Sequence, residues 1–144
     1  MIESLVLAGA LMAGPATAGT AAIAHRASEI PTAWQPFAAC VSKRESNHNY
    51  RARNPISSAQ GRWQFLDRAW RVNGGIEWIV LRQLKKHGAT WEARKKVYRQ
   101  LTTTRIQMWP GWAQDAAFVA VVTERPTGWR HWRNGDRCDR LVPR

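Results

Sequence analysis

Residues 32–46, TAWQPFAACVSKRES, carry Trp34, Phe37, Ala38 and Val41 at helical spacing, and one more step of four brings the same stripe to Glu45. This spacing predicts a helix over 33–46, opened by a capping box between Thr32 and Gln35. Glu45 then stands at the C-terminal end of an apolar face. Partial burial there, beside the negative end of the helix dipole, is expected to raise its pKa and keep a proton on it near neutrality, as a general acid requires. Arg44, one position earlier, should project about 100° away around the helix; folded back, it would depress that pKa instead.

Outward from this helix the pattern stays helical. Asp67 is placed to cap a short helix running to Asn73, with Gly74 and Gly75 as its stop. A second helix is expected over Ile76–His87, with Lys85, Lys86 and His87 in its last turn and Gly88 behind it. Thr90 caps another through about Thr103, and Trp112–Glu124 ends before Pro126. Only residues 47–66 lack helical periodicity. The expected fold is therefore mainly α, a compact helical domain that carries one small irregular or weakly stranded segment.

The chain divides at residue 28. Residues 4–24 are uncharged and rich in Ala, Gly and Leu, and the composition changes abruptly at His25 and Arg26. Residues 1–28 read either as a secretory signal, with an apolar core at Leu5–Met12 and small residues at Ala16, Ala18 and Ala24, or as a small-residue docking tail; Glu3 stands where a signal carries positive charge. Gly14, Pro15 and Gly19 make this segment a poor membrane span, and none is expected. Residues 29–144 are expected to form the main folded domain.

With 144 residues and 44% apolar side chains the chain is long enough for one domain with its own core. Twenty-two Lys and Arg against ten Asp and Glu give a net charge of +12, which suits a polyanionic partner: a bacterial wall, an anionic membrane face or nucleic acid. The basic residues are dispersed, so a solvated basic surface also accounts for them. His25, His48, His87 and His131 have no ligand partners at metal-binding spacing, and no Gly-rich loop opens a helix, so neither a metal nor a nucleotide cofactor is expected. Cys40 and Cys138 bracket the patterned region; they are either two free thiols or one long-range clamp that would point to an oxidising compartment.

Glu45-Ser46 is followed in order by Asn49-Tyr50, Arg53-Asn54-Pro55, Ser57-Ser58-Ala59, Gly61, Trp63-Gln64-Phe65 and Trp70. This series resembles the lysozyme-like transglycosylases, in particular the small domain of actinobacterial resuscitation-promoting factors and related phage wall-degrading proteins. In that family a Glu-Ser pair ends the first long helix and a Gly-x-aromatic-Gln-aromatic segment lines the saccharide cleft. Trp34, Cys40, the Trp70–Gly75 stretch, Gly128-Trp129, Trp132 and Cys138 extend the likeness to about two thirds of the chain. Asn47 and His48 depart from it, standing where the family often has Gly. So does Arg62, bulky within the cleft segment, and residues 76–110 follow no part of the pattern.

The resemblance implies that Glu45 protonates the oxygen linking N-acetylmuramic acid (MurNAc) to N-acetylglucosamine (GlcNAc) in peptidoglycan glycan strands, and that Cys40 bonds Cys138. Substrate contacts are expected from Tyr50, Asn54 and Ser58, from Gln64, which could instead brace its loop, and from Trp63 and Trp70, whose rings either line subsites or pack in the core. Asp67 is the one nearby acid in sequence that could serve as a second carboxylate for hydrolysis, and its setting also fits a helix cap. Without a second acid, ring closure by the muramic 6-hydroxyl, the lytic transglycosylase route, is favoured. Such an enzyme would work outside the cell, at the wall, or on a virion beside phage tail proteins. A virion or wall-binding module with the same fold but no catalysis is the first alternative. A basic nucleic-acid binder is the weaker one, and no nucleic-acid partner is expected.

Overall fold

A computed structural model describes residues 15–72 and 75–144. The expectations for Glu3, Leu5–Met12 and Gly14, and for a helix stop at Asn73 and Gly74, lie outside the described residues. Six α-helices appear among the described residues: α1 (Pro15–Ser28), α2 (Gln35–Ser46), α3 (Asp67–Arg71), α4 (Gly75–Lys86), α5 (Trp91–Thr103) and α6 (Gly111–Glu124). The only sheet among them is an antiparallel pair, β1 (Ala59–Gln60) and β2 (Phe65–Leu66), with Ala59 opposite Leu66 and Gln60 opposite Phe65. The mainly helical fold with one small stranded segment matches the expectation.

Helix α6 is the axis of the domain. Nearly every residue from Ala113 to Val122 is buried, so α6 is covered on all sides rather than on one stripe. Helices α1 and α4 pack on it, and α5 packs on α4. Helix α1 presents Ala24 and Ala27 to the core, and buried Gln83 donates to the Ala27 carbonyl. The composition change at His25 and Arg26 therefore falls inside a helix that belongs to the packed body, and the packing does not break at residue 28.

Local chemistry sets the helix ends. The Thr90 hydroxyl accepts from the Ala93 amide to start α5, and Gly88, with a φ of +97°, turns the chain after α4. The capping box at Thr32 does not form. Thr32–Trp34 is a 3-10 turn, α2 starts at Gln35 with Pro36 in its first turn, and the Gln35 side chain donates to the Ile30 carbonyl instead. Asp67 likewise makes no side-chain cap; it is the first residue of α3 and pairs with Arg71 one turn on, at 3.4 Å.

The C-terminal segment folds as two 3-10 turns, Gly128–Trp132 and Arg137–Leu141. A Cβ at Gly128 would collide with the Val121 carbonyl of α6, so only glycine lets this segment lie against the central helix. The Cys40–Cys138 disulfide fastens the second turn to α2.

Candidate functional site

Helix α2 stops within one residue of Ser46 because Asn47 and His48 both take the left-handed conformation, with φ of 53° and 63°. Their amides return to the Lys43 and Ser42 carbonyls at 3.0 and 3.1 Å, which closes the helix end as a glycine cap would. Glu45 is thereby fixed in the last turn. The Ser46 hydroxyl donates to the Arg62 carbonyl at 2.7 Å and accepts from the Asn49 amide at 3.1 Å. One side chain thus joins the end of α2 to the loop that follows it and to the turn between β1 and β2.

The Glu45 side chain is 25% exposed. Arg44 does not point away from it, as the helical angle alone suggested. Its Nε and Nη2 both donate to Glu45 Oε1, at 2.9 and 2.7 Å. The reason lies in the C-terminal segment, which the disulfide holds against α2: Arg44 Nη1 donates to Asp136 Oδ2 at 2.8 Å and Nη2 to the Trp132 carbonyl at 2.6 Å. These acceptors draw the guanidinium over the helix end, and its own charge is favoured by both carboxylates, against the opposing effect of burial. Asp136, in turn, titrates below the usual carboxylate range, chiefly because of its bond to Arg44. Among the described residues no hydrogen bond reaches Glu45 Oε2.

Behind this rim lies a closed polar cluster. Asp115 of α6 accepts from the Tyr50 hydroxyl at 2.6 Å, from Trp63 Nε1 at 2.9 Å and from Arg62 Nη1 at 3.3 Å. Arg62 also reaches the Ser42 hydroxyl through Nε at 2.8 Å, and its guanidinium covers the Trp63 ring at 4.7 Å. Burial raises the Asp115 pKa, partly offset by these donors, and burial with the neighbouring Asp115 pushes Tyr50 up to about 12. Gln114, next to Asp115, accepts from the Arg62 amide and donates to the Tyr50 and Trp109 carbonyls. Gly61 (φ +78°) leaves room for that Gln114 side chain, with which a Cβ would collide.

These contacts sort the residues expected to touch substrate. Trp63 is a correction: it is 0% exposed and stacks on Phe118 with ring centroids 3.8 Å apart, so its face is not open to a sugar. The Tyr50 hydroxyl is held by Asp115 and Arg62, and its ring lies against Gly111. Asn54 Oδ1 accepts from the Ile56 and Ser57 amides, an Asx turn within the loop. The Ser58 carbonyl accepts the Asp67 amide at 2.9 Å, tying the loop to the start of α3. Gln64 sits at φ 52° and donates to the Gly61 carbonyl at 2.9 Å, bracing its own turn with its side chain still partly exposed. Trp70 is half-buried against Phe65 and His131.

Asp115, Gln114, Asp136 and His131 have no counterpart among the expected site residues. The first two left a signal, a polar pair inside the otherwise apolar run of α6; Asp136 left none, because its partner is 92 positions away. His131 is enclosed by the rings of Phe65, Trp70 and Trp132, and burial lowers its pKa to about 4. Among the described residues no three His, Cys, Asp or Glu side chains gather in a metal-holding group, and no helix is long and apolar enough to cross a membrane. Comparison with protein-family models, with curated proteins and with solved structures finds no match.

Proposed function

We propose that the protein cleaves the MurNAc–GlcNAc β-1,4 bond of peptidoglycan, with Glu45 as the general acid. One observation carries this reading. The two sequence segments behind the resemblance, Glu45-Ser46 and Gly61–Phe65, are 15 or more positions apart in sequence, and the Ser46–Arg62 bond at 2.7 Å brings them together beside a partly exposed carboxylate. With Oε1 held by Arg44, the proton is delivered from Oε2 to the glycosidic oxygen, and the bond breaks through an oxocarbenium-like state. Asp67 is engaged by Arg71, so in place of attack by an activated water the muramic 6-hydroxyl bonds to the anomeric carbon and gives its proton back to the Glu45 carboxylate, closing a 1,6-anhydro ring. The disulfide fits an oxidising location such as the outside of the cell, the wall or a phage particle.

Purified protein and Glu45→Gln, both checked for folding by circular dichroism, would be incubated with wall sacculi. The expected result is loss of turbidity for the parent alone, with 1,6-anhydro muropeptides by mass spectrometry. Equal lysis by both, or by neither, overturns the reading. The Arg44–Glu45 pair favours a second reading: a Glu45 held by Arg44 serves as a structural ion pair rather than an acid, and the domain then holds wall glycan without cutting it. Retention on sacculi with no product released is its signature.

A further inference from the structure

Helices α4 and α5 form a hairpin with no part in the site above. Residues 75–103 hold seven Lys and Arg against two Glu, including four of the five lysines in the chain. One of the two acids, Glu77, is buried and neutralised by Arg71 at 2.7 Å, which leaves the outer face more basic still. On α4 the exposed residues Trp78, Arg82, Lys85 and Lys86 recur at helical spacing. On α5, Trp91, Lys95 and Tyr98 share a stripe, with Lys96 and Arg99 exposed beside it. Among the described residues Lys85, Lys86, Arg94, Lys96 and Arg99 have no ion-pair partner.

Aromatic rings are set among these charges. Trp78 is 40% and Trp91 49% exposed, large apolar surface that a solvated charged face has no need of. Trp78 lies against Tyr98 with centroids 5.3 Å apart, and the Arg94 guanidinium and Lys95 ammonium sit 5.3 and 5.8 Å from the Trp91 ring. The hairpin thus carries two ring stations, one at each end, on a basic face, and the Trp91 station is flanked directly by cations.

We propose that this face is a second binding surface, for an acidic polysaccharide: a glycan strand whose pyranose faces cover Trp78 and Trp91 while its carboxylates pair with the surrounding Lys and Arg. Charge complementarity selects an anionic occupant, and rings at two separated stations suit a polymer rather than a small anion. Insertion into a lipid surface fits less well, because Lys85, Lys86, Lys96 and Arg99 interrupt the apolar area around both rings. The proposal rests on the peptidoglycan reading only for the identity of the glycan. Bound here, a strand would keep the protein on its substrate between cleavage events.

The test is co-sedimentation with purified sacculi, in the parent background and in Glu45→Gln. Trp78→Ala/Trp91→Ala and Lys85→Glu/Lys86→Glu/Lys95→Glu should each weaken retention about tenfold, with melting temperatures near the parent's and unchanged cleavage of short soluble glycan fragments. Retention of the parent should fall as salt rises, and more steeply than that of the charge-reversed variant. Unaltered retention of both variants overturns the proposal, as does tighter binding of single-stranded oligothymidine than of sacculi through the same residues. If the parent is retained through this face but releases no product, the hairpin surface stands and the catalytic reading fails.

Discussion

Two arginine–carboxylate pairs flank the end of α2, and they differ in how completely the acid is occupied. Asp115 receives Tyr50, Trp63 and Arg62, covering both of its oxygens, and lies on the central helix. Glu45 receives Arg44 alone, on one oxygen, at the rim. A carboxylate whose acceptor sites are filled by buried donors holds structure together. One with an oxygen to spare and a quarter of its surface exposed is available to a ligand. The same residue types thus separate by position into a fastening group and an accessible one.

The widest separation between the two should come from removing each acid's charge. On the proposed reading, Glu45→Gln should lower sacculus lysis by about a hundred- to ten-thousandfold, with melting temperature nearly unchanged. Asp115→Ala should do the reverse, costing about 3 to 5 kcal/mol in denaturant unfolding, because Arg62 is left partly buried without its carboxylate. Equal effects of the two changes on stability would erase the contrast.

Cys40→Ser with Cys138→Ser tests what holds the rim together. Opening a closed loop with a sequence separation of 98 should cost about 4.7 kcal/mol in the chain-entropy model, read as the shift in denaturation midpoint, and should also free Arg44 from Asp136.

His131 gives a smaller, pH-dependent effect. Its ordinary pKa of 6.5 falls to about 4 in the folded chain, so between these values the unfolded state takes up a proton that the folded state refuses. Stability is therefore full above about pH 6.5 and declines as the pH falls toward about 4, by about 3 kcal/mol in total. Thermal melts across that range should show the slope, and His131→Phe should flatten it. Smallest of all, Asn47→Gly should raise stability by about 0.5 kcal/mol, since glycine takes the left-handed conformation without the Cβ penalty.

Much of the framework was legible in the sequence, because it depends on local signals. Thr90, Gly88 and the apolar run before Pro126 mark α4, α5 and α6 to within a residue or two, and the absence of periodicity over 47–66 correctly located the short strands. The errors share a cause, competition from partners distant in sequence. The Gln35 side chain was drawn to Ile30, which undid the capping box, and Arg44 was turned by Asp136 and Trp132 from the far end of the chain. Trp63 fitted a substrate-lining position by its order in the series, but Phe118 and Asp115 claimed its face and its nitrogen. Of the candidate site, the end of the helix at Glu45 and Ser46 is where the periodicity put it. The polar cluster that supports them needed the fold to be seen.

The disulfide has a further effect. Because it joins the first helix of the site to the last turn of the chain, a protease that cuts once in the exposed loop around Ile56 would leave both fragments attached. The nicked protein would run as one species on a non-reducing gel and as two after thiol treatment. Damage at that loop in a protease-rich setting would therefore not by itself shed either half of the protein.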